Sequence, residues 1–155
     1  MATAKTWARE WRVILEFFAG FAATIFVHQP VVWIFHAMGI SPRTPYDMTP
    51  VPPFGIPAVI SLAFWGGIWG IIMITAISRI RSEAWWWIAA ILFGAIFPTL
   101  VAGLIVAPLK HVSMPRTPAM ALFGLTVNGA WGLGTAIIFR LISGRSSLPA
   151  AAPSR

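Results

Sequence analysis

The stretch IPAVISLAFWGGIWGIIMITAIS, residues 56–78, runs twenty-three positions without a charged side chain. A helix needs about 20 mainly apolar residues to cross the hydrocarbon core of a bilayer, so this segment predicts a membrane span. Three others match it: Val13 to Gly39, Trp85 to Pro108 and Pro118 to Ser143. Strands of a membrane barrel would be about half as long and alternate in polarity, and nothing here alternates. Composition agrees, with 58% hydrophobic and only 10% charged residues in 155 and a mean hydropathy of +0.80. Soluble domains carry roughly a quarter charged residues. The chain therefore reads as an all-α polytopic membrane protein, with one four-helix transmembrane domain over 1–143 and a flexible cytoplasmic tail, 144–155.

The N-terminal MATAKTWAREWR followed by an apolar run imitates a secretory signal. The run is far longer than a signal core and lacks a suitable cleavage context, so it is expected to stay as the first helix. The chain has no cysteine, which removes disulfides, thiolate metal sites and cysteine nucleophiles. Its net charge of +7 does not point to nucleic acid, because the basic residues sit at the ends of apolar segments, as membrane topology demands.

Those basic residues also set a direction. Lys5, Arg9, Arg12, Arg79, Arg81, Arg140, Arg145 and Arg155 fall on the side of the termini, against Arg43, Lys110 and Arg116 on the other. The positive-inside rule then places both termini in the cytoplasm. Trp7, Trp11 and the run Trp85, Trp86 and Trp87 are expected as interfacial anchors.

An internal repeat is written into the connections. PRTP occurs at 42–45 and again at 115–118. In the same order, FAGFAAT at 18–24 matches FGAIFPT at 93–99, and GIWG at 67–70 matches GAWG at 129–132. The first loop carries eleven extra residues, YDMTPVPPFGI at 46–56. The expectation is two tandem hairpins in parallel repeat, related by an axis along the membrane normal, in a compact bundle. Gly66 and Gly70 on the second helix, Ala95, Thr99, Gly103 and Ala107 on the third, and Gly124, Gly132 and Ala136 on the fourth form small-residue stripes of the kind that bring membrane helices together.

Few residues offer chemistry. Intramembrane polar groups are costly and so are candidates by default. His28 and Asn128 fall at one depth and are expected to face the bundle interior, imidazole to carboxamide. Glu16 is expected to pair with Arg12 one turn away, or with Arg140 across the bundle. Pro30 and Pro98 are expected to kink their helices. Haem ligation by His28 would require a symmetric dimer to supply the second histidine. A metal site from His36, His111 and Asp47 lacks helical ligand spacing, so no cofactor or metal is expected. No nucleophile has a positioned base, and no glycine-rich phosphate loop is present.

Taken together, FFAGFAATIFVHQPV, PRTPYDMTPVPPFG and SLAFWGGIWGI resemble small four-span inner-membrane proteins of proteobacteria, a family without known function. The resemblance implies location and fold and brings no site residues with it. The expected role is a non-enzymatic accessory or scaffold subunit, whose partners are the lipid bilayer and other membrane proteins or copies of itself. The alternative is a small oligomeric channel or transporter using His28 and Asn128.

Overall fold

The computed structural model describes residues 2–41, 43–111 and 117–144; Pro42, the centre of the second PRTP loop and the expected tail beyond Gly144 lie outside that set. Four helices are long and apolar enough to cross a membrane: Arg9–Ala37, Ala58–Ile77, Glu83–Leu109 and Pro118–Ser143. We call these the first to fourth spans. The chain's described ends and the short turn at 78–82 share one end of the bundle, the terminal end; the two proline-rich connections share the other, the loop end.

Local chemistry sets the ends of the spans. Thr117 accepts a hydrogen bond from Met120 N–H at 3.2 Å and Pro118 opens the fourth span, a side-chain cap followed by a proline that has no N–H to lose. The first span stops at Gly39, whose φ of +70° suits glycine, and His36 Nδ1 donates to Ser41 O at 3.1 Å. The first loop contains a short β-hairpin. Pro50–Val51 pairs antiparallel with Ile56–Pro57, a two-residue hairpin on an otherwise helical chain.

Two of the spans are not continuous α-helix. The first turns π-helical over Thr24–His28 and the third over Ala102–Val106. A proline follows each break at the second position, Pro30 and Pro108, where a missing N–H favours re-pairing of the ladder. Pro98 lies inside the α-helical stretch Glu83–Val101, with no π turn beside it.

The first span packs on the second, and the third on the fourth; the first and fourth also pack closely, while the second and third approach little. Glycine sets each seam. A methyl group on Gly20 would collide with Gly66 O, and one on Gly70 would lie 2.6 Å from Glu16 O. In the other pair, a methyl on Gly94 would strike Asn128 O and one on Gly132 would strike Ala90 O. Ala95 lies against Gly129, and Thr99 against Gly124. Gly103, expected in the same stripe, has nothing among the described residues within 4 Å of where its side chain would begin.

The core sits toward the terminal end, around Ala19, Met73, Ile74, Trp86, Trp131 and Phe139. Trp86 is 7% exposed, so this member of the expected interfacial run is a core residue, while Trp85 stays exposed. A smaller cluster of Val32, Phe123 and Val127 lies toward the loop end.

Candidate functional site

At the loop end the spans part around a cleft of about 1260 Å³. The third span's outer turns, Ala102–Val106, make no close backbone approach to another span. Leu62 of the second span and Leu100 and Leu104 of the third line this cleft. His28 and Gln29 line the cleft from the first span, Asn128 and Thr99 from the fourth and third, and Arg43, Asp47 and Lys110 from the connections.

His28 and Asn128 thus border one space, but they do not bond each other. Asn128 Nδ2 donates to Thr99 Oγ1 at 2.9 Å. Gln29 Nε2 approaches His28 Nδ1 at 3.4 Å, long for a hydrogen bond, and as a donor it assigns the imidazole proton to Nε2. Gln29 itself is buried, and its Oε1 accepts from Tyr46 N–H at 2.6 Å. This residue, next to the one the sequence singled out, ties the first loop to the first span.

The π turns leave two carbonyls without helical donors. Gln29 N–H bonds Thr24 O, and the next residue is a proline, so Ile25 O receives neither of the amides four and five residues on. Tyr46 Oη donates to it at 3.0 Å. In the third span Ala107 N–H bonds Ala102 O and Pro108 follows, which leaves Gly103 O in the same position. Gly103 lines the cleft, and among the described residues no side chain caps its carbonyl. The Tyr46 that serves the first break lies in the first loop.

Charge in the cleft is predominantly positive. The ion pairs among the described residues, Arg12–Glu16 and Arg140–Glu83, involve neither Arg43 nor Lys110. Arg43 is exposed within the cleft, yet the surrounding atoms desolvate it enough to lower its pKa; an arginine remains charged at neutral pH regardless. Asp47 is engaged locally: hydrogen bonds from the Thr49 side chain and backbone hold its carboxyl below the ordinary range.

The terminal end holds the remaining polar candidates. Glu16, 1% exposed, accepts from Arg12 Nε at 2.8 Å and from Thr75 Oγ1 at 3.2 Å. The expected bond between Glu16 and Arg140 is not formed. Arg140 donates to Glu83 Oε1 at 2.6 Å and lies over the rings of Trp86 and Trp87, 4.7 and 4.8 Å from their centroids. Glu83 was not among the residues picked out from sequence; its place one residue after a helix-starting serine was the available signal. Among the described residues no three histidine or carboxylate side chains gather as a metal site, so His36, His111 and Asp47 do not form one.

Compared with family models, with characterised proteins and with solved structures, the chain matches none.

Proposed function

We propose that this is a non-enzymatic accessory protein of the bacterial inner membrane that works by binding a small ligand in its loop-end cleft, on a rigid body formed by its terminal half. The observation that carries this is the cleft itself, which gathers both mid-span polar residues, His28 and Asn128, with two cations that have no carboxylate partner among the described residues. Its volume of about 1260 Å³ lies above the 300–1,000 Å³ typical of ligand pockets. The glycine seams close the other half of the bundle, which favours a binding site over a through-pore in one chain.

The test is purification in mild detergent, with the mass of the complex measured and co-purifying molecules identified. Ala121 lines the cleft and is exposed, so Ala121→Trp fills it without disturbing the core. The wild type is expected to retain a small molecule that the folded variant loses. Equal yields from both would reject the binding role.

The same proposal holds the body to be a duplicated hairpin with both termini cytoplasmic. Supporting the duplication, Gly20 meets Gly66 O and Gly70 as Gly94 meets Asn128 O and Gly132, and Phe17 lies over Gly67 as Ile91 lies over Gly129. These contacts pair Gly20 with Gly94, one residue from the pairing given by aligning Phe18 with Phe93. The π breaks differ in reach: Gly20 precedes Pro30 by ten residues, and Gly94 precedes Pro108 by fourteen, one helical turn further. An experimental structure with Gly70 and Gly132 on different faces of their hairpins would end this reading. For orientation, Ser41 is only 3% exposed, so single cysteines belong at exposed Met48 and Ser82. An impermeant thiol reagent applied to intact cells should label position 48 and spare 82; the reverse would invert the topology.

A further inference from the structure

Resting on the cleft as a binding site, we infer that its occupant is one anionic phospholipid of the surrounding bilayer, with its phosphate on Arg43 and an acyl chain in the gap between the second and third spans. Three features of the cleft call for this chemistry together. Its polar end carries Arg43 and Lys110 against a single carboxylate, Asp47, whose Oδ1 already accepts from Thr49 N–H at 2.8 Å. A cation among low-dielectric walls gains most from an anion that brings its own apolar body, and phosphate accepts strong charge-assisted bonds from arginine.

The apolar end is built differently from a pocket for a soluble anion. Leu62, Leu100 and Leu104 line it and are 40%, 50% and 64% exposed, so the cleft wall continues into the lipid-facing surface of the spans. A soluble phosphate would leave this part of the space without apolar contacts, whereas an acyl chain supplies them. Between the two ends lie groups for the ester and glycerol region. Gly103 O lacks a helical donor and can accept from a headgroup hydroxyl. The His28 ring nitrogen not facing Gln29 has no protein partner among the described residues and, in the tautomer that Gln29 selects, can donate to an ester oxygen.

The full chain would be reconstituted in discs of phosphatidylcholine containing a minor share of phosphatidylglycerol, then released and weighed with its retained lipids by native mass spectrometry. The wild type should keep one phosphatidylglycerol in preference to phosphatidylcholine. Arg43→Gln should lower that retention about tenfold, the weight of one charge-assisted contact; Arg43→Lys should restore most of it. Arg79→Gln, an exposed cation at the opposite end, should leave it unchanged, and Ala121→Trp should abolish it. Equal retention of phosphatidylcholine, or an Arg43→Gln protein that holds phosphatidylglycerol as the wild type does, overturns the anionic lipid while the cleft still binds. Displacement of the lipid by inorganic phosphate overturns it in favour of a soluble anion. Retention that survives Ala121→Trp removes the cleft from consideration and sinks both proposals.

Discussion

The two ends of this bundle solve opposite problems with the same residue type. At the terminal end glycine lets helices touch: Gly20 sits against Gly66 and Gly70, Gly94 against Gly132, and Trp131 Nε1 donates to Gly20 O at 3.0 Å through that closeness. At the loop end a methyl group on Gly103 would meet nothing within 4 Å among the described residues, its helix has slipped into a π turn, and the space beside it is a cleft. In lipid there is no hydrophobic drive between helices, so backbone proximity and interhelical bonds decide where a bundle closes. Where the small residues of two spans meet, it closes. Where a proline breaks the ladder and small residues face no partner, it stays open.

The sharpest way to break this contrast is to add the same methyl group at both ends. Gly20→Ala must displace the Gly66 backbone, which no side-chain rotation can relieve, and should cost about 1–3 kcal/mol or more. Gly103→Ala has open space and gains helix propensity, so it should be neutral or stabilising by up to about 1 kcal/mol. Unfolding in mixed micelles by a denaturing detergent measures both. Equal losses at the two positions would mean that the open half is packed in the membrane.

A second test concerns the buried acid of the closed half. Arg12 is about half exposed and Glu16 is buried, so the pair is asymmetric. Arg12→Ala leaves a buried carboxylate with only Thr75, and should cost about 3 kcal/mol, the lower bound for breaking a buried pair. Glu16→Gln keeps an acceptor for Thr75 and frees an arginine that can hydrate, so it should cost less than half as much. If the two losses are equal, Arg12 contributes no more than a surface pair does.

How much of this was legible in the sequence divides along the same line. The four spans follow from apolar length alone, and the fourth was bounded correctly, because a threonine–proline start and a glycine stop mark it. Rotation of each helix about its axis was not legible. Spans that are apolar all round carry little amphipathic signal to say which face is inside. That is why the stripe Ala95, Thr99 and Gly103 read as one surface, although only Ala95 and Thr99 join Ala90 and Gly94 against the fourth span. Rotation also decides ion partners across the bundle: of the two offered for Glu16, Arg12 on its own helix meets it, while Arg140 turns to Glu83. His28 and Asn128 both line the cleft, but the bond expected between them is absent, and the partners they have instead, Gln29 and Thr99, require coordinates. The prolines announced broken helices without saying which breaks would become π turns.

The smallest effect tests the difference between the two breaks. Tyr46 caps Ile25 O in the first span, and among the described residues no side chain caps the corresponding Gly103 O in the third. A typical intramolecular hydrogen bond nets about 0.5–1.5 kcal/mol, and this one is exposed, so Tyr46→Phe should cost near the low end. The ring stays, and so does the bond from Tyr46 N–H to Gln29 Oε1, which holds the loop even without the hydroxyl. The consequence should therefore be local: faster hydrogen exchange over residues 46–51 and around the π turn of the first span, with the glycine seam unaffected. Exchange that quickens across Gly20 and Gly66 as well would show that the loop-end break and the closed half are one cooperative unit, and the division between the two ends would fail. No change at all would mean that water serves Ile25 O as well as Tyr46 does. The uncapped Gly103 O would then carry no special readiness for a ligand hydroxyl, and recognition in the cleft would fall to its charges.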